Sequence, residues 1–212
     1  MSQDLADLEA LNAIDAFEAL DAASAAEFKV AVAPLFEGAP RFLARLAAAR
    51  PFAGWAALFE AARAIAQAMP ESEQVELVNA HPRLGAPPAL VSKVSFGEQG
   101  YDREAAAHVA GNDARVQDRL EGELERLNRA YEARFRFRYC VFVAGRSRSE
   151  LLPGIAAALG AAREDELRRA LDAVIDIAID RRRALATARA DILAAAEGTS
   201  PTIAAPSASP DA

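Results

Sequence analysis

Chemistry has few places to sit in this chain. Of its 212 residues only two are histidine, His81 and His108, and one is cysteine, Cys140. Pro82 follows His81, and a proline pushes the residue before it out of the α region. His81 therefore falls where a helix ends, and the negative end of that helix's dipole favours its imidazolium. A modest shift moves a histidine across neutral pH, so His81 reads as a candidate general acid or base. A turn histidine that only caps the last carbonyls of its helix explains the same placement, and both readings stand. His108, in Ala105-Ala106-Ala107-His108-Val109-Ala110, reads as a helix-surface or packing residue.

The second candidate is Ser95-Phe96-Gly97-Glu98-Gln99. Ser-x-x-Glu is the capping-box pattern, in which serine and glutamate satisfy orphan amides at a helix start. Glu98 and Gln99 also supply one anion and one amide, which together can read the donors and the carbonyl of a ureido group. The two readings coexist if Ser95 caps while Gln99 points away. Cys140 lies in the apolar run Tyr139-Cys140-Val141-Phe142-Val143 and reads as a buried, inert thiol.

Other catalytic schemes fit poorly. Two distant histidines and one buried cysteine do not make a zinc site. Gly97-Glu98-Gln99-Gly100 lacks the strand context and the Lys-Ser/Thr of a phosphate loop, and no Gly-x-Ser-x-Gly elbow occurs. The formal net charge of −7 lacks the basic excess that a phosphate-tracking surface needs, so nucleic acid is an unsuitable partner. No stretch approaches a membrane span, and Met1-Ser2-Gln3-Asp4-Leu5 has neither the basic nor the apolar region of a signal peptide. With its single cysteine, the chain is expected to be cytoplasmic.

The elements that must position these residues are helices. Hydrophobic residues make up 52% of the chain, but much of that is alanine and only 7% is aromatic, a composition that favours helix. Residues 1 to about 16 read as an N-terminal extension. From Ser24 a helix carries Phe28, Val30, Val32, Leu35 and Phe36 and stops at Gly38-Ala39-Pro40. The next carries Phe42, Leu43 and Leu46 and ends before Pro51. Trp55 to Met69 places Trp55, Leu58, Phe59 and Ile65 at helical spacing. Pro70 with Glu71 and Glu73 starts a helix that runs into His81-Pro82.

Residues 82 to about 97 read as an ordered loop. A helix over about 113–135, expected to be the longest, carries Val116, Leu120, Leu124, Leu127, Tyr131 and Phe135 on one stripe. Phe137 to Val143 is β-like, but a lone strand has nothing to pair with, so extended coil or helix is expected. Pro153-Gly154 is expected to interrupt the chain. A final helix from Glu164 to about Ala196 has the core face Leu167, Leu171, Val174, Ala178, Leu185 and Ile192. From Gly198 the chain is small, polar and Pro-rich, and reads as a disordered tail. The expected fold class is all-α: one multi-helix domain over 17–197, with a functional loop between helices.

At His81-Pro82-Arg83-Leu84-Gly85 followed by Ser95-Phe96-Gly97-Glu98-Gln99, the sequence resembles the OHCU decarboxylase family (2-oxo-4-hydroxy-4-carboxy-5-ureidoimidazoline decarboxylase). Upstream, Phe28, Leu35-Phe36-Glu37-Gly38-Ala39-Pro40 and Arg50-Pro51-Phe52 look like the family's opening helices. Downstream, Leu127-Asn128-Arg129-Ala130-Tyr131 and Arg134-Phe135-Arg136-Phe137 resemble its Asn-x-x-Tyr and Phe-Gly-Phe-Pro-Phe segment. The likeness covers roughly residues 20 to 195. Arg136 and Arg138 stand where the commoner pattern has Gly and Pro, and Ala144 stands where it often has Arg.

The resemblance implies a helical homodimer that acts without metal or organic cofactor on OHCU, a small ureide, giving (S)-allantoin in uric acid breakdown. Carried over residue by residue, it makes His81 and Glu98 the catalytic pair and Pro82, Ser95 and Gln99 substrate contacts. Main-chain groups of Tyr139, Cys140, Val141, Phe142 and Val143 would line the pocket. The alternative is a non-catalytic helical relative that binds a ureide or carboxylate without turning it over.

Overall fold

Helix starts in this chain are written into its capping residues. In the computed structural model, which describes residues 17–87, 99 and 114–197, a short helix α1 (Phe17–Ala22) leads to Ser24. Ser24 Oγ accepts from the Glu27 amide, and Glu27 returns a carboxylate to the Ser24 amide, closing a capping box that starts α2 (Ala25–Val32). A 3-10 turn (Ala33–Phe36) ends at Glu37, which takes a left-handed conformation with φ 51°. Pro40 then opens α3 (Pro40–Ala48), where its missing amide costs nothing. Helix α4 (Trp55–Ala68) is followed by α5 (Glu71–Ala80), whose first turn carries Glu71 and Glu73 and whose last residue precedes His81.

Further along the chain come α6 (Ala114–Phe135), α7 (Arg148–Ala158) and α8 (Arg163–Glu197). Among the described residues there is no strand, and the fold is all-α as expected. Helix α8 is the spine: it packs on α4, on α5 and on the 3-10 turn, while α6 packs on α7. Arg63 of α4 reaches Asp172 and Asp176 of α8, each at 2.7 Å, and so fastens these two helices at their edge. Fully buried Phe28, Phe36, Phe42, Leu58, Leu77 and Ile155 fill the space between layers. Each such burial stabilises by about 1.5–3 kcal/mol.

Tyr131 organises the far end of the core. Its ring centroid lies 4.5 Å from that of Phe135, 5.7 Å from Phe137 and 5.1 Å from Tyr139, and its hydroxyl donates to Glu166 at 2.8 Å. This cluster anchors residues 138–143, which form neither helix nor strand: of the coil or helix expected for the β-like run, the structure has coil.

Three expectations need correction. The longest helix is α8, with 35 residues, against 22 for α6. Pro153 and Gly154 do not interrupt the chain but lie inside α7. Pro153 removes a single amide, while a second capping box, Ser147 with Glu150, and the burial of Leu151 and Ile155 hold the helix on either side. Val30 and Val116, read as core positions, are 75% and 57% exposed.

Candidate active site

His81 caps α5 with an extended backbone (φ −72°, ψ 140°), the conformation that Pro82 demands. Its side chain folds back beneath the helix, where Nδ1 lies 3.4 Å from the carbonyl of Leu77. A carbonyl can only accept, so Nδ1 carries the proton and Nε2 presents a lone pair. The residue is 4% exposed, and Nε2 is buried without a hydrogen-bond partner.

Burial and then the Arg181 guanidinium push the imidazole's pKa down to about 4, against the opposing pull of Glu37 and the Leu77 carbonyl. The helix end was expected to favour the imidazolium. Its position is as expected, but desolvation outweighs the dipole and the ring is a neutral base.

Nε2 belongs to a residue that lines a cavity of about 280 Å³. His81, Pro82 and Leu84 form one wall, the coil from Tyr139 to Gly145 forms another, and Ile177, Asp180 and Arg181 of α8 form the third, with Gln99 at the edge. Of the residues expected at the site, His81, Pro82, Gln99 and all five of Tyr139 to Val143 meet here. Ser95, Glu98 and His108 lie outside the described residues. Cys140, in no disulfide, is buried in the cavity wall. Among the described residues no three His, Cys, Asp or Glu side chains converge as metal ligands.

The loop after His81 is held from below. Gly85 has φ +76°, and any Cβ there would lie 2.5 Å from Leu124 Cδ2, so a side chain would strain the backbone and displace Leu124. Asn128 of α6 donates to the Leu84 carbonyl at 2.9 Å, and Arg83 pairs with Glu125 and Glu132 of the same helix. Gln99 was expected to read a ureido group. Its oxygen accepts from the Gly85 amide at 2.9 Å and its nitrogen reaches the Arg83 carbonyl at 3.5 Å, so much of its capacity goes into shaping this loop.

The opposite wall turns its carbonyls away. Arg169 donates to the Cys140 carbonyl at 2.9 Å and lies over the Tyr139 ring. Arg146 takes the carbonyls of Phe142 and Val143. The amides of Val141, Phe142 and Val143 bond no other described group, which leaves them among the donors of this wall. A pocket with backbone donors on one side and an unprotonated imidazole on the other suits an anionic, hydroxyl-bearing guest.

Sequence reading missed Arg181. Its guanidinium, 3% exposed, donates to the carbonyls of Pro34 (3.0 Å) and Leu35 (3.4 Å) and to Glu37 Oε1 (2.7 Å) while lining the cavity. It stands in the run Asp180-Arg181-Arg182-Arg183, which passes for a solvated face. The signal was periodicity: residue 181 is seven beyond Val174, three beyond Ala178 and four before Leu185, on the core stripe of α8. A cation on an apolar stripe is a buried charge that needs a partner and a reason.

Among the described residues, an all-helical fold brings a buried histidine, its Nε2 unpartnered, to the wall of a small cavity. The chain belongs to the OHCU decarboxylase family, whose model matches residues 21–183; the family is one of decarboxylases in the route from urate to allantoin. No curated protein sequence matches it.

Two solved structures share the fold. A crystal structure of (S)-allantoin synthase aligns with TM-score 0.54 at 18% identity, over 80% of this chain and 53% of that one. A crystal structure of OHCU decarboxylase in the presence of (S)-allantoin aligns with TM-score 0.52 at 20% identity, over 70% of this chain and 92% of that one. This chain thus spans about half of the (S)-allantoin synthase chain.

Proposed function

We propose that the protein decarboxylates OHCU to (S)-allantoin by histidine acid/base catalysis, with no metal or organic cofactor. The observation that carries this reading is the unpartnered Nε2 of a neutral, buried His81 in the cavity wall. OHCU bears a hydroxyl and a carboxylate on one ring carbon, beside a ring C=N. As CO2 leaves, the electron pair of the broken C–C bond forms a new C=C bond, and the C=N electrons move onto nitrogen, which takes a proton. The substrate is its own electron sink.

The hydroxyl then loses its proton as its carbon becomes a carbonyl, and the neighbouring carbon takes a proton on one face. The sum is one carboxylate and one proton consumed, with CO2 and allantoin formed. Nε2 of His81 is the base for the hydroxyl proton, a role that contributes about 10²–10⁴-fold. Arg181 sits where a cation can steer the substrate carboxylate, and the amides of Val141 to Val143 can hold carbonyl oxygens. Glu98, Ser95, Pro82 and Gln99 complete the site in this reading, on the strength of the family resemblance.

The test mixes purified protein with freshly generated OHCU and follows circular dichroism at allantoin wavelengths. We expect the (S) enantiomer of allantoin to appear at a rate proportional to protein. Racemic allantoin at the uncatalysed rate overturns the reading, and binding of allantoin without turnover would favour the non-catalytic alternative.

A further inference from the structure

A helix leaves its last carbonyls without intrahelical partners, and at the end of α5 Pro82 contributes no amide to help. Arg138 fills the gap. Its Nη1 donates to the carbonyl of Asn79 at 2.8 Å and to that of His81 at 2.9 Å. Its main-chain amide donates to Asn79 Oδ1 at 2.9 Å. These three bonds join parts of the chain nearly sixty residues apart. One end is the backbone of His81; the other is the residue just before Tyr139, where the opposite wall of the cavity begins.

The charge matters as well as the bonds. The carbonyl end of α5 is the local feature that would draw a proton onto His81. A guanidinium seated on those carbonyls offsets it. The charged side chains that act directly on the His81 ring are Arg181 of α8 and Glu37 at the end of the 3-10 turn, and Asp180 of α8 lines the same cavity.

We propose that Arg138 is a positioning residue for His81: its guanidinium, seated on the Asn79 and His81 carbonyls, fixes the imidazole at the cavity and ties the 139–143 wall to it. The role belongs to this chain, since Arg138 stands where the commoner family pattern has proline. The kinetic part of the proposal rests on the decarboxylase reading; the geometric part does not.

Three variants test it together. Arg138→Met keeps the stem and removes the donors, and Arg138→Lys keeps the charge with a poorer fork. Arg50→Met is the control, because Arg50 caps carbonyls of Ala47, Asp21 and Ala23, none of which lines the cavity. We expect Arg138→Met to lower kcat by about five- to fiftyfold with KM within about twofold, since a misplaced base slows the chemical step rather than binding. Arg138→Lys should recover part of that loss. Arg50→Met should lower Tm at unchanged kcat.

A second measurement is independent of turnover: side-chain 15N NMR of the two histidines, with His81→Asn assigning the peaks. Wild-type protein should show His81 as one Nδ1–H tautomer at neutral pH. Arg138→Met should show mixed tautomers and an ionisation moved upward. Wild-type kcat together with a wild-type His81 spectrum in Arg138→Met overturns the proposal. If wild-type protein fails to turn over OHCU, the decarboxylase reading falls alone, and the His81 spectrum decides the role of Arg138.

Discussion

At the residue scale, the state of His81 turns on a competition between water and charge. A histidine held neutral in the fold and free to protonate when unfolded makes stability depend on pH. Its folded pKa, about 4, lies below the ordinary value of 6.5. Between those limits the unfolded chain binds a proton that the native protein does not. The stabilisation is therefore complete above about pH 6.5 and is lost as pH falls toward 4, by roughly 3 kcal/mol. His81→Asn should flatten this part of the curve, which urea melts at pH 4.5 and 7 will measure.

The same variant should lose about 10²–10⁴ in kcat, with His108→Asn near wild type. The acid limb of kcat/KM, which reports the free enzyme, should fall near pH 4 rather than near the ordinary value of 6.5. A limb near 6.5 would mean that His81 is solvated. The position of His81 was legible because Pro82 announces a helix end. Its charge state was not, because burial by α8 and the nearness of Arg181 are long-range facts that no local pattern carries.

Elements were legible wherever starts and stops are chemical. Pro40, Pro70 and the break at His81-Pro82 all mark real boundaries. Pro153 misleads because a proline inside a helix breaks it only when nothing compensates, and α7 has a capping box and two buried residues that do. The boxes at Ser24 and Ser147 carry the same Ser-x-x-Glu pattern as Ser95 to Glu98, and a systematic scan for it finds all three. The end of α6 offers a test.

Arg136 closes this helix with φ 65°, and its amide returns to the Glu132 carbonyl at 3.0 Å. That is the left-handed cap normally taken by glycine, and a residue with a Cβ there costs about 1–2 kcal/mol. Arg136→Gly should raise stability by about 1 kcal/mol and Tm by a few degrees, with kcat unchanged. Thermal melts of the two proteins check this, and a fall in Tm would show that the Arg136 side chain contributes more than its backbone costs.

For the whole molecule, the all-α class followed from composition and periodicity, but the way the layers meet did not. Which helix closes the cavity is decided by α8, whose buried positions run as far as Arg181. A chain ending at residue 197 should therefore match the full chain within about 2 °C in Tm and in rate, since it keeps every buried position of the described core. A larger drop would mean that residues beyond 197 dock on the domain.

Arg181 also sets the order in which the molecule can be finished. Its partners, the carbonyls of Pro34 and Leu35 and the carboxylate of Glu37, are made early in synthesis, whereas Arg181 itself is made about 145 residues later. Until α8 arrives, the Arg181–Glu37 pair is unmade and the third wall of the cavity is missing. A nascent chain therefore carries His81 through about a hundred further residues of synthesis without the full cavity around it, and the cavity is completed in one step when the last helix docks.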